Sequence, residues 1–204
     1  MEKTIRQPQQ ERSNEKKQKI IEASYELFTE VGYYKANTSD IARRAGVSTG
    51  IVYSYFKDKR DILLYVLKIY IEKVTEPLSE VLETTAAPVD FDRLIGEFID
   101  ATIKIHRENA HLHNTLHSLE VSDEDVNDEF MELQNTITEK VSEKLISLGY
   151  NPPYLKERVH LAMNAIQSFA HESVYDTHDY LDYGVMRVKI SEMIKSLFVS
   201  DLPK

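Results

Sequence analysis

The chain has 204 residues, no cysteine and a formal net charge of −9 at pH 7. The lack of cysteine excludes disulfides, thiolate nucleophiles and zinc sites that use cysteine. No stretch approaches the roughly 18 uninterrupted apolar residues of a membrane span, and the N-terminus lacks the apolar core of a signal peptide. We therefore expect a cytoplasmic protein with one large domain, or with a small and a medium one.

The charge is divided unevenly along the chain. Residues 1–60 carry 12 Lys and Arg against 8 Asp and Glu, whereas the remaining residues carry 13 against 26. Because local neutralisation of phosphates gives non-specific affinity for DNA, a basic head on an acidic body is compatible with DNA binding. A basic excess of this size also occurs on ordinary surfaces. The charge alone therefore leaves both interpretations open.

The first helix is predicted to follow a polar N-terminal segment. Residues 1–13 are polar and include Pro8, which favours a disordered arm. From Asn14 onward apolar residues repeat on one helical face, and Gly32 is a natural left-handed C-cap. We therefore predict helix 1 between Asn14 and Gly32.

Residues 38–56, TSDIARRAGVSTGIVYSYF, have the pattern of a helix-turn-helix, a motif that places a helix in the major groove of DNA. Thr38 is predicted to cap helix 2, Gly46 to permit the turn, and Ser48 to cap helix 3. Apolar side chains recur on the inner face of each helix. The outward positions of helix 3 are Thr49, Gly50, Tyr53 and Ser54. Hydroxyls, a glycine and a tyrosine suit close approach to phosphates and base edges.

The rest of the chain is predicted to be helical as well. Asp58 is expected to cap helix 4, with Asp61 in a loose capping box, and Pro77 to kink or break that helix. Further helices are predicted from Asp90 to about Asn109, from the SDEDVNDEF segment to Gly149, after Pro152-Pro153, and from 181 or 183 to 198. The predicted fold class is all-α, with a three-helix bundle over residues 14–60 and a larger antiparallel helical bundle over residues 61–204.

Four of the seven histidines lie between His106 and His117, which raises the question of a metal site. His113 and His117 are four residues apart on one helical face, a spacing that can ligate zinc. The sequence fixes no third ligand, and Tyr175 stands where a metalloprotease motif starting at His171 would need its second histidine. We therefore predict no metal and no cofactor.

The N-terminal segment resembles the TetR family of bacterial transcriptional regulators. The similarity covers residues 16–64, and its elements FTEVGY, the threonine before DIA, AGVSTG, Y-x-YF and KDK are highly specific together. The remainder resembles the family only as a helical bundle of suitable length. The resemblance implies a non-enzymatic repressor that binds a palindromic operator as a homodimer and is released by a small-molecule effector.

The resemblance also implies roles for individual residues. The predicted phosphate contacts are Thr38, Ser48, Tyr55 and Lys59. The predicted base-edge contacts are Thr49, Gly50, Tyr53 and Ser54. The family often has a bulkier residue where Ser54 stands. Packing roles for the two tyrosines and a solvated Lys59 are the alternatives.

The resemblance places the effector and the dimer interface in the larger bundle, residues 61–204. Inward residues of the effector pocket are predicted to be Phe98, Phe130, Gln134, Met163 and Gln167, and plain core packing is the alternative for each of them. The helices around residues 155–174 and 185–198 are predicted to pair across a two-fold axis. The alternative function is a non-catalytic helical adaptor that uses residues 1–60 as a protein-binding surface.

Overall fold

The computed structural model describes residues 9–199, with side chains from residue 12 onward. Within this range the chain forms helices and no strand, which confirms the predicted all-α fold class. The helices are α1 (Gln9–Val31), α2 (Thr38–Ala45), α3 (Thr49–Tyr55), α4 (Lys59–Thr84), α5 (Phe91–Glu108), α6 (Ala110–Glu120), α7 (Glu124–Ser147), α8 (Leu155–Tyr175) and α9 (Tyr183–Val199). None of the helices in this range is long and apolar enough to cross a membrane.

The described chain forms two compact units. The head unit holds the residues up to Tyr70 together with Ala110–Asn127, and the body unit holds Ile71–Asn109 and the residues from Asp128 onward. This division differs from the predicted boundary after residue 60, because α6 packs against α1 and so belongs with the head. Helical periodicity along the sequence does not reveal that α6 packs against a helix near the start of the chain.

The core of the head unit is built from the apolar faces of α1, α2 and α3. Ile20, Phe28, Ile41, Val52 and Phe56 are almost completely buried. Gly46 makes the turn between α2 and α3 at φ +68°, a conformation that strains residues with a side chain. The predicted helix-turn-helix therefore has its core and its turn as expected.

α1 begins earlier than the sequence predicts. Residues 9–13 of the predicted arm belong to this helix, whereas residues 1–8 lie outside the described residues. Tertiary contacts hold this first part of the helix, since the Ser13 hydroxyl lies 3.0 Å from the Tyr55 hydroxyl. In addition, the Lys17 ammonium lies 3.9 Å from the centre of the Tyr65 ring. The polar composition of residues 1–13 therefore predicts a disordered arm that is too long, because residues 9–13 are helical.

The cap of α2 is Asn37 rather than the predicted Thr38. The Asn37 side chain, on extended backbone, accepts a hydrogen bond of 2.9 Å from the backbone N–H of Asp40. Thr38 is therefore the first helical residue, and its hydroxyl is not used as a cap. The predicted cap of α3 is confirmed, because the Ser48 hydroxyl accepts from the backbone N–H of Ile51.

α4 continues through Pro77 instead of breaking there. Proline removes one backbone donor from the helix interior, yet the helix runs on to Thr84. Val74 and Leu78 are buried on either side of the proline and continue the apolar stripe of the helix. Packing of that stripe into the body unit offsets the lost hydrogen bond.

In the body unit, α5 packs against α8 and α9. Phe91 at the start of α5 stacks on Phe198 at the end of α9, with ring centroids 5.1 Å apart. Farther along the two helices, Arg187 of α9 pairs with Asp100 of α5. These two contacts show that α9 runs antiparallel to α5.

Candidate nucleic-acid interface

The exposed face of α3 carries all four residues predicted to contact base edges. Thr49, Gly50, Tyr53 and Ser54 are exposed, whereas Val52 on the opposite face is fully buried. The Tyr53 side chain is 57% exposed although it is a large aromatic residue. A helix that buries its valine and exposes its tyrosine presents a solvent-facing surface rather than a packing surface.

Tyr53 is connected to the start of α2. Its hydroxyl lies 3.0 Å from the Thr38 hydroxyl, so a predicted base-edge residue and a predicted phosphate residue lie side by side. This contact is possible because Asn37, not Thr38, caps α2. The hydrogen bond restricts the tyrosine ring, which lowers the entropy lost when the ring is ordered against a ligand.

The hydroxyls of Ser48, Ser54 and Tyr55 already have hydrogen-bond partners. Ser54 donates to the carbonyl of Ile51 at 2.7 Å, and its oxygen can still accept. Tyr55 is half-buried, and its hydroxyl pairs with Ser13 of α1. The predicted phosphate contacts of Ser48 and Tyr55 stay predictions, with Ser48 at the exposed N-terminus of α3.

Lys59 has a position that the sequence did not reveal. Its ammonium donates to the carbonyl of Tyr33 at 2.7 Å and to that of Ala36 at 2.9 Å. It also lies 4.3 Å from the centre of the Tyr33 ring. Burial lowers the pKa of Lys59, and burial followed by the charge of Asp58 raises the pKa of Tyr33. The side chain therefore joins the start of α4 to the loop between α1 and α2.

An ion-pair cluster next to Lys59 joins two distant segments of the head unit. Arg60 donates two hydrogen bonds to Asp123, at 2.8 and 2.7 Å, and one to Asp125 at 2.7 Å. The hydrogen bonds from Arg60 hold the pKa of Asp123 below its usual range. Asp123 also accepts from the backbone N–H of Val126 in the first turn of α7. The sequence does not reveal this cluster, because Arg60 is 63 and 65 residues away from its two partners.

The lowered pKa of Asp123 predicts a loss of stability in acid. The carboxylate is charged in the folded state at pH values where the unfolded chain takes up a proton, so its contribution is complete above about pH 4 and is lost below it. We expect Asp123→Asn to flatten the decline of the thermal midpoint between about pH 5 and pH 2. Circular dichroism melts of both proteins measure this, with Asp128→Asn as an exposed control. Equal acid sensitivity of wild type and Asp123→Asn would contradict the assignment.

The predicted effector residues are only partly brought together. Phe98 and Met163 both line an apolar cavity in the body unit, together with residues of α5, α7, α8 and α9. Phe130 is buried but does not line this cavity, Gln134 is exposed, and Gln167 contacts His106 at 3.3 Å. The cavity measures about 30 Å³, which is roughly the volume of one water molecule.

The two histidines with helical spacing lie in the head unit. His113 and His117 have ring centroids 4.2 Å apart. The Nδ1 atom of His113 lies 2.6 Å from the Tyr70 hydroxyl, and His117 pairs with Glu120 at 2.9 Å. Each of the two histidines thus has a polar partner within the head unit.

Comparison with known proteins identifies the head. The model of the family described as "Bacterial regulatory proteins, tetR family" matches residues 20–66. The HTH-type transcriptional regulator HbdR of Aromatoleum sp. (strain CIB) is 41% identical over 106 residues, which cover 48% of this chain and 46% of that protein. The fatty acid metabolism regulator protein of Bacillus subtilis (strain 168) is 42% identical over 65 residues, which cover 30% of this chain and 34% of that protein. The matched segments thus span less than half the length of these curated relatives.

Solved structures extend the likeness over nearly the whole chain at the level of the fold. A transcriptional regulator from Saccharomonospora viridis, solved in complex with choline, aligns with a TM-score of 0.69 at 16% identity. The alignment covers 89% of this chain and 96% of that one. The matching head sequence and the helix-turn-helix geometry agree with each other, and the solved structure adds only the shared fold. Residues 20–66 therefore form a DNA-binding head of the type found in the tetR family of bacterial regulatory proteins.

Proposed function

We propose that this protein is a transcriptional regulator that binds double-stranded DNA in a sequence-specific way. In the form we favour, it is a repressor that binds a palindromic operator as a homodimer and is released by a small-molecule effector. The observation that supports the proposal most directly is the exposed face of α3, with Thr49, Gly50, Tyr53 and Ser54. The names of the curated relatives, both regulators, agree with it.

The chemistry of this face suits base-edge contacts in the major groove. Thr49 offers a hydroxyl and a methyl group, of which the methyl can pack on a thymine. A Cβ atom at Gly50 would have the Ser48 hydroxyl, 3.9 Å away, as its nearest neighbour. The surface above Gly50 is therefore open, and the backbone of α3 can approach DNA closely. Tyr53 adds a ring and a hydroxyl that Thr38 orients.

Phosphate contacts would then come from the edges of the motif. Thr38 and Ser48 lie at the N-termini of α2 and α3, where backbone N–H groups favour anions. Arg43 is strongly exposed, and its pairing with Asp40 is a surface contact that a phosphate can replace. Lys59, whose ammonium is held by two carbonyls, acts in our proposal by positioning the turn before α2.

Selection of bound sequences from random duplex DNA tests the function. We expect a palindromic sequence to be enriched, and its affinity to fall steeply with salt, with a slope of roughly −0.9 per neutralised phosphate. An adaptor that uses the head as a protein-binding surface would show no preference among duplexes. Failure to enrich any sequence at low salt, with or without small-molecule extracts, would contradict the proposal.

The dimer interface we propose uses the exposed apolar side chains of α8 and α9. Leu161 of α8 and Val185, Val188 and Met193 of α9 are each more than half exposed. Burying such side chains between copies removes apolar area from water. A two-fold dimer would carry two recognition helices, which need a spacing of about 34–36 Å to enter successive major grooves.

A charge placed on this face should separate the copies. We expect Val188→Asp to shift the protein from dimer to monomer and to lower operator affinity by at least about tenfold, because the two half-sites are no longer bound together. Light scattering coupled to size exclusion measures the mass. Val121→Asp is the matched control, since Val121 is exposed in the turn that follows α6. A dimeric Val188→Asp protein would place the interface elsewhere.

For the effector we propose a small molecule with an apolar part. The cavity walls are apolar, with Phe98 and Met163 among them, and a ligand larger than one water must widen the space between α5 and α8. Choline is bound by the solved relative, and another relative is named for fatty acid metabolism. Both compound classes are therefore reasonable first probes in an operator-release assay. A compound that tightens DNA binding instead would change the repressor proposal into a corepressor one.

A further inference from the structure

Two histidines of the body unit face one another at the C-terminal ends of α5 and α8. His106, in the last turn of α5, is 1% exposed, and His171 of α8 is half-buried. Their ring centroids are 6.2 Å apart, and a ligating nitrogen of each lies within 4.8 Å of the other. We propose that His106 and His171 bind a divalent transition-metal ion, which would link α5 to α8.

Each histidine has an acceptor that orients it for this role. The Nδ1 atom of His106 lies 2.8 Å from the carbonyl of Thr102, so Nδ1 carries the proton and Nε2 is the ligand atom. The Nε2 atom of His171 lies 3.4 Å from the carboxylate of Asp176, which assigns Nδ1 as its ligand atom. A carbonyl or carboxylate behind the imidazole is the usual outer shell of a metal-bound histidine.

The neighbouring polar side chains define the remaining coordination. The Gln167 amide lies 3.3 Å from His106 Nε2, and a half-turn of this amide presents its oxygen instead of its nitrogen. Tyr175 donates to the carbonyl of His106. Because its hydroxyl donates to this carbonyl, Tyr175 is not part of the donor set. Two imidazoles and one amide oxygen are thus the donors that these residues of the body unit supply.

This donor set selects the class of metal. Imidazole suits zinc, nickel, cobalt and copper(II), whereas calcium and magnesium prefer oxygen ligands alone. The chain has no cysteine, so it lacks the thiolate ligands that copper(I) prefers. Nickel and zinc are therefore the first probes. The sequence pattern pointed to His113 and His117 instead, because their spacing is visible along one helix.

Calorimetric titration of the untagged full-length protein, freed of metal with EDTA, tests the proposal. We expect one Ni²⁺ or Zn²⁺ ion per chain. His171→Ala and His106→Ala should each lower the affinity at least about tenfold, and Asp176→Asn should lower it by about tenfold. Titration of cobalt should give the absorption bands of a histidine-bound ion in the wild type and not in His171→Ala.

His160→Ala is the matched control, since it removes another histidine of α8 that contacts Asn164. We expect it to bind metal like the wild type. His106 is buried, so His106→Ala could lose metal binding by unfolding. If its helical circular dichroism is lower than that of the wild type, the affinity of His171→Ala alone tests the proposal. The proposal is overturned if the wild type binds no ion stoichiometrically, or if His171→Ala binds as tightly as the wild type. Neither result depends on DNA, so it leaves the proposed regulator function untouched.

Discussion

Replacing Lys59 by methionine should destabilise the protein by about 2 to 4 kcal/mol, because two partly buried carbonyl groups lose their charged donor and each such loss costs about 1–2 kcal/mol, the lower part of the range for buried groups. The carbonyls belong to Tyr33 and Ala36 in the loop between α1 and α2. They are partly buried, so water can replace the ammonium only in part. The thermal midpoint should fall by roughly 4 to 16 °C for a chain of this size.

The same variant distinguishes positioning from phosphate binding. If Lys59 acted only on a phosphate, Lys59→Met would leave the melting temperature unchanged and reduce the salt slope of DNA binding by about one counterion. Lys57→Met is the matched control, because Lys57 is an exposed lysine two residues earlier. Lys59→Arg should recover part of the lost stability, since a guanidinium also donates to carbonyls. An unchanged midpoint for Lys59→Met would refute the positioning role.

Replacing Tyr53 by alanine should weaken binding to the selected operator by about 5- to 150-fold, equivalent to about 1–3 kcal/mol for one specific base contact. The preference for the contacted base should become weaker at the same time. Since Tyr53 is exposed, its removal should change the free energy of unfolding by only about 0.5 kcal/mol. Fluorescence anisotropy with the operator and with variants of single base pairs measures both effects.

Two companion variants make the Tyr53 experiment specific. Tyr53→Phe keeps the ring and removes the hydrogen bond to Thr38, so it separates the contribution of the ring from that of the hydroxyl. Tyr180→Ala removes a strongly exposed tyrosine of the body unit and should leave operator affinity unchanged. If Tyr53→Ala binds the operator like the wild type, α3 does not read DNA through this residue.

Local signals accounted for the helix-turn-helix. Its apolar spacing, the left-handed Gly46 and the Ser48 cap all depend on residues within four positions of one another, and such patterns can be recognised in a sequence. The error at Asn37 was also local, since two neighbouring residues are both good caps and the backbone decides between them. α4 was harder to predict because the packing of Val74 and Leu78 outweighs the local effect of Pro77.

The sequence by itself determined the helical fold, the buried and exposed faces of α3 and the family resemblance, because these follow from residue spacing along single helices. Only the tertiary structure decided that Lys59 binds carbonyls, that Arg60 pairs with Asp123, and that His106 and His171 meet. Helical periodicity tells which face of a helix is buried, but not which other helix covers it. Partners that lie 23 or 63 residues apart therefore become visible only when the chain is folded.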